Sequence, residues 1–97
     1  MGDFIVRPEA EQDLSEAYNW YENQLPGLGE DFILRVEASF YSIRYDPQVY
    51  PIIYKKVQRK LLRRFPYGVY FVSDQGKISV LAVMHASRHP KRWRNRI

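Results

Sequence analysis

A chain of 97 residues, 45% apolar and 27% charged, has the length of one domain with a modest core and the composition of an ordinary globular protein. No apolar run approaches the ~20 residues that span a bilayer, Met1-Gly2-Asp3-Phe4 lacks the features of a signal peptide, and the absence of cysteine excludes disulfides, thiolate catalysis and Cys-based zinc sites; a cytoplasmic location without membrane contact is the expectation. The net charge of +4 divides unevenly, because residues 1–50 hold three basic and ten acidic residues (−7) while residues 51–97 hold twelve basic residues against Asp74 alone (+11), which points the second half toward an anionic partner, either nucleic acid or an acidic protein segment.

Phe4-Ile5-Val6 before Pro8 predicts a first strand over residues 3–7. Pro8 suits the first position of a helix, and Glu9, Glu11 and Asp13 suit the positive end of its dipole. Ala10, Leu14, Ala17, Tyr18, Tyr21 and Leu25 form one apolar stripe, broken by Pro26-Gly27-Leu28-Gly29. A second helix is predicted from about Glu30, with Phe32, Ile33, Val36, Phe40 and Ile43 buried, and Asp46-Pro47 ends it. The two form an antiparallel hairpin. Tyr18, Trp20, Tyr21 and Tyr41, at helical spacing, read as core or inter-helix packing in preference to a base-stacking surface. Pro51 makes Val49–Tyr54 an edge strand or loop.

Three apolar runs follow, Val57–Phe65, Tyr67–Val72 and Ile78–Met84, separated by Pro66 and by Ser73-Asp74-Gln75-Gly76. They predict a three-stranded antiparallel meander whose hairpin uses the positive φ available to Gly76. Strict alternation places Ile78, Val80, Ala82 and Met84 on one face of the last strand, and Leu81, Val83 and His85 on the other. Both faces are apolar, so this strand lies inside the sheet. The helices cover one face; the C-terminal segment, the sheet's own rim or a partner covers the other. The fold class is α+β, a single domain over residues 1–97 with a basic tail over about 89–97. That tail would ordinarily be solvated, but Trp93 within it either docks on the body or anchors a contact.

Familiar site patterns are missing. His85 and His89 follow a strand with no acid or Cys to complete a metal shell, Ser73, Ser79 and Ser87 lack the context of a nucleophile, and Gly27-Leu28-Gly29 reads as a turn. No metal or cofactor is called for. What remains is a cationic set: Lys55, Lys56, Arg59, Lys60, Arg63 and Arg64, with His85 and Arg88 beyond the last strand. Continued alternation would put Arg59 and Arg63 on one face, Lys60 and Arg64 on the other. Metal-free RNA cleavage needs proton transfer as well as cations on the phosphate, and His85 is the one natural proton-transfer group nearby; a locally hydrogen-bonded strand-end histidine is the plainer reading.

Glu9-Ala-Glu-Gln-Asp13-Leu-Ser-Glu16-Ala17, Trp20-Tyr21-Glu22, Pro26-Gly27-Leu28-Gly29-Glu-Asp-Phe32, Pro47, Tyr50, Arg63-Arg64-Phe65-Pro66-Tyr67 and Val80-Leu-Ala-Val83-x-His85-x-x-Arg88-x-Pro90-x-x-Trp93 together resemble the RelE/ParE toxins of bacterial type II toxin–antitoxin systems. The resemblance implies a strand, a helical hairpin and a meander, and a cognate antitoxin that wraps the toxin. RelE-like members cut mRNA on the ribosome, whereas ParE-like members poison DNA gyrase and carry no nuclease site. Ribonuclease members have an Arg where this chain has Gly68, and only Arg59 matches their lysine pair, the second position being Leu61. Trp93 stands in the region of their terminal catalytic Tyr, while His85 and Arg88 are shared with them. The Pro-Gly-Leu-Gly turn and the His-x-x-Arg-x-Pro ending look ParE-like. The resemblance therefore implies a plasmid-stabilisation toxin that inhibits growth by binding gyrase, with no catalytic residue favoured. Its candidate contacts are Arg59, Arg63, Arg64, His85, Arg88, Arg92 and Trp93. The alternatives are a ribosome-dependent mRNA endonuclease using Arg64, His85 and Arg88, and an inactive relative that binds only its antitoxin.

Overall fold

The structure is a computed structural model and describes residues 3–97; the first two residues of the expected domain lie outside it. Strand β1 (Phe4–Val6) leads into helix α1 (Pro8–Gln24), which starts on Pro8 as its fixed φ and missing N–H favour. Helix α2 (Leu28–Tyr45) begins two residues earlier than the sequence suggests. Gly27 takes a left-handed conformation, φ 91°, and the Glu22 carboxylate accepts hydrogen bonds from the amides of Gly27 and Gly29 at 3.0–3.1 Å, satisfying donors that a helix start leaves free. Gly29 is therefore helical and buried. A Cβ there would lie 2.8 Å from the Tyr18 carbonyl oxygen, so this glycine sets the closest approach of the two helices.

A 3-10 turn (Pro47–Val49) leads into β2 (Ile52–Tyr54), β3 (Val57–Leu61), β4 (Tyr67–Asp74) and β5 (Lys77–His85), and a short helix α3 (Lys91–Arg94) follows. The sheet order is β1-β5-β4-β3-β2, with β1 parallel to β5 and all other neighbours antiparallel. The meander thus has four strands, since the segment around Pro51 pairs as an edge strand. Gln75 (φ 50°) and Gly76 (φ 80°) form the two-residue loop between β4 and β5, matching the right-handed twist of the strands it joins. β3 is shorter than its apolar run. It stops at Leu61, and Arg63 and Arg64 sit in the connection to β4, Arg64 at φ 71°, so strand alternation does not assign them to faces.

The helices pack on one face of the sheet. Ala10, Ala17, Tyr21, Phe32, Val36 and Ile43 meet Val69, Phe71, Ile78, Val80 and Val83, while Val57, Tyr70, Leu81, Ala82, Met84 and Trp93 form a second core on the far face. Strict alternation in β5 fails at one point. Tyr70 pairs with Ala82 and Phe71 with Val80, leaving Leu81 as an extra residue. This β-bulge turns Leu81 and Ala82 to the same side and brings Val83 and His85 back to the side of Ile78 and Val80.

The basic tail is folded onto the body through Trp93, with most of its other side chains exposed. Trp93, 4% exposed, stacks on Tyr70 at 5.0 Å and supplies the cover that the far face needed. Leu25 is exposed and Tyr18 partly so. Trp20 (58%) and Tyr41 (75%) face outward, against the packing role read from their spacing.

Candidate functional site

β1 ends at Val6, and the Arg7 amide donates a last main-chain bond to the Val80 carbonyl at 3.0 Å. Beyond that rung β5 continues to His85 with no strand on this side, which would leave an open edge. Side chains take the place of the strand. The Val83 amide donates to Asp13 Oδ2 at 3.0 Å, and the Arg96 guanidinium donates to the Leu81 carbonyl at 3.1 Å. Arg96 also grips Asp13 through two contacts, 2.6 and 3.2 Å, and Arg7 donates to the Arg96 carbonyl at 2.8 Å. The C-terminal segment thus runs from the far face, where Trp93 is seated, around the edge of β5 to α1.

Between α1 and the end of β5 lies an open groove of about 1090 Å³. Glu9, Gln12 and Glu16 line one wall; His85, Arg88 and Arg92 line the other, over a floor that includes Tyr21, Tyr67 and Val83. The bulge is what places His85 here, opposite Tyr67 and with the two rings 5.6 Å apart. His85 Nδ1 accepts from the Ser87 amide at 3.1 Å and lies 2.7 Å from Ser87 Oγ, the local bonding of a strand-end histidine. Burial holds the Tyr67 hydroxyl above the ordinary tyrosine range; Arg88 opposes the shift and Asp13 adds to it. Burial likewise raises Tyr21, with Tyr67 contributing. The groove is therefore a charged recess with a protonated phenol in its floor, suited to holding a polar segment.

The remaining cations lie elsewhere. Arg59 pairs in register with Tyr70 and belongs to the far face, where its methylene carbons would lie 3.2 Å from a Cβ on Gly68. Gly68 is thus the floor under the Arg59 stem, and a side chain at 68 would compete for that space. Arg63 and Arg64, both exposed, occupy the β3–β4 connection outside the groove. Arg63 assists burial in lowering the Lys60 pKa. Trp93 is a correction to the expected contact surface: with 4% exposure it supports the surface from beneath and offers no face to a partner. Sequence reasoning missed Asp13 and Arg96. The signal was available for Asp13, because it falls three residues after Ala10 and four before Ala17, on the stripe facing the sheet.

A family model described as the ParE toxin of the type II toxin–antitoxin system, parDE, matches residues 4–90. Among solved structures, a chain described as "Chromosomal ParDE TA system from P. aeruginosa" has a TM-score of 0.78 at 17% identity, over 88% of this chain and 96% of that one. At such identity the likeness speaks for the fold. A search of the curated proteins finds no match. The family match spans the hairpin, the meander and the His85–Pro90 end of the groove, and with the shared fold it establishes that this chain belongs to the ParE toxin family of type II toxin–antitoxin systems.

Proposed function

We propose that this protein is a growth-inhibiting toxin that acts by binding DNA gyrase and is neutralised by a cognate antitoxin. The observation that carries the binding mode is the division of its cations. His85, Arg88 and Arg92 line the groove beside α1, Arg59 lies on the opposite face over Gly68, and Arg64 belongs to neither. A phosphoryl-cleaving site needs its proton-transfer group and all of its cations around one phosphate; His85 and Arg88 share the groove, but Arg64 sits in the exposed β3–β4 connection and Gly68 supplies no cation. A surface that binds by charge needs no such convergence. Neutralisation is supported by a second groove of about 610 Å³ beside the unpaired outer edge of β1, where Phe4, Phe40, Tyr41 and Tyr45 offer apolar contacts and Arg44 and Glu37 one charge of each sign. An extended, mainly apolar segment fits both the edge and the groove.

The test is a pair of variants in a gyrase supercoiling assay. Arg88→Glu should relieve inhibition, whereas His85→Gln should retain it, because a contact histidine at the rim is worth far less than a catalytic one. If His85→Gln loses potency by the ~10²–10⁴-fold expected for a general acid or base, with mRNA cleavage lost in parallel, the binding reading is wrong.

A further inference from the structure

The face of the sheet turned away from the helices carries a second cationic surface that the groove does not use. It is built on an aromatic trio: Trp93 stacks on Tyr70 at 5.0 Å with planes 23° apart, and Tyr54 meets Trp93 edge-on at 5.9 Å. Two cations are held against these rings, and a third, Arg59, lies beside them. The Arg94 guanidinium lies 4.1 Å over Tyr54 and 5.6 Å from the centre of Trp93, and the Lys55 ammonium lies 5.3 Å over the same tyrosine. Arg59 is laid across Gly68, on which the Tyr70 ring also closes. None of the three is paired with a carboxylate; the one ion pair among the described residues joins Arg96 to Asp13. Asp74 is the sole acid after residue 50.

Stacking on a ring fixes a long cationic side chain in advance, so less rotamer freedom is lost when it meets an anion. We infer that this face binds the phosphate backbone of duplex DNA, with Lys55, Arg59 and Arg94 each engaging a phosphate. An acidic protein partner fits less well. Protein interfaces centre on exposed aromatic or apolar anchors, yet here the rings are covered, with Tyr70 1% and Trp93 4% exposed and cations over the half-buried Tyr54, and Leu61 beside Arg59 is an isolated aliphatic contact. DNA affinity, by contrast, comes largely from neutralised phosphates. The choice of duplex DNA as the anion rests on the gyrase reading, since duplex DNA is what that enzyme handles. The groove and this face lie on opposite sides of the sheet, so one toxin can contact the enzyme with the first and its DNA with the second.

The test measures binding of the purified full chain to a short fluorescent duplex by anisotropy across a salt series. Three phosphate contacts contribute about 2.7 to the log–log salt slope, so between about 50 and 200 mM salt the wild type should lose roughly 40-fold more affinity than the Lys55→Gln, Arg59→Gln, Arg94→Gln triple variant. A charge-matched control, Arg35→Gln, Lys60→Gln, Lys77→Gln, none of them against these rings, should keep the wild-type slope. If the triple variant fails to fold by circular dichroism, Lys55→Gln and Arg59→Gln alone should each lower the slope by about 0.9. The inference is overturned by an undetectable complex at low salt, by a control variant that flattens the slope as much as the test variant, or by poly-glutamate displacing the duplex at equal charge. Gyrase inhibition is measured in parallel: inhibition without DNA binding sinks this inference alone, and DNA binding without inhibition sinks the gyrase reading alone.

Discussion

Trp93→Ala separates a folded C-terminal segment from a tail resting on the surface. An indole buries about 150–250 Å², which at ~25 cal/mol per Å² is about 4–6 kcal/mol, and a realistic unfolded reference lowers such figures by roughly 10–40%. Stacking against Tyr70 adds about 1 kcal/mol, while collapse of an edge site recovers part of the loss. The expected cost is therefore about 3–4 kcal/mol, within the usual range for a buried Trp→Ala change. For a domain of this size that lowers the unfolding midpoint by at least about 12 °C. Leu81, Met84 and Tyr70, now buried beneath this residue, should become exposed along with it. Urea unfolding followed by circular dichroism gives the stability difference directly, and Trp93→Phe should restore part of it. A Trp93→Ala loss below about 1 kcal/mol, within the range of surface substitutions, would refute the docking of this segment on the sheet.

Other substitutions probe the contacts that position the groove. Gly29→Ala, which would stabilise an exposed helix by about 1 kcal/mol, should here destabilise by about 1–3 kcal/mol, because the new methyl meets the Tyr18 backbone at 2.8 Å; the sign of the shift in urea midpoint decides. Asp13→Asn keeps the shape but removes the charged acceptor shared by Arg96 and the Val83 amide, so stability should fall by about 1–2 kcal/mol and amide exchange at Val83 should quicken. Tyr21 and Tyr67 are raised above 10.0 by burial, so their contribution is complete below pH 10 and is lost as pH rises through their folded-state values. Replacing both by Phe should flatten the alkaline fall in unfolding midpoint. Lys60, lowered from 10.5 by burial, acts with the opposite sign, gaining stability as pH rises toward 10.5, so the comparison is best made in a Lys60→Gln background. Gly68→Arg should displace the Arg59 stem without creating mRNA cleavage, which gel analysis of ribosome-bound message would reveal.

The helical hairpin was legible because its signals are local: Pro8 at a helix start, two apolar stripes and a glycine turn. The start of α2 was not, since it depends on Glu22 reaching forward to the amides of Gly27 and Gly29. Alternation identified β5 as an interior strand but misassigned its faces, because one extra residue at Leu81 reverses every later side chain. The same limit applied to Arg63 and Arg64, for which an apolar run was extended past the true end of β3. Composition marked the second half as cationic. It did not reveal that the cations divide between a groove and the opposite face, which depends on the bulge and on the space above Gly68. Trp93 stood out as either anchor or plug, and the choice rests on a stack with Tyr70, 23 residues earlier in the chain.

We propose that this ParE-family protein is a gyrase-binding toxin without nuclease chemistry. The most direct measurement is a paired assay on purified, antitoxin-free protein, following plasmid supercoiling by gyrase and the integrity of ribosome-bound mRNA in the same preparation. Supercoiling should be inhibited while the message stays intact. Cleaved mRNA with normal supercoiling would contradict the claim and move His85 and Arg88 from contact to catalysis.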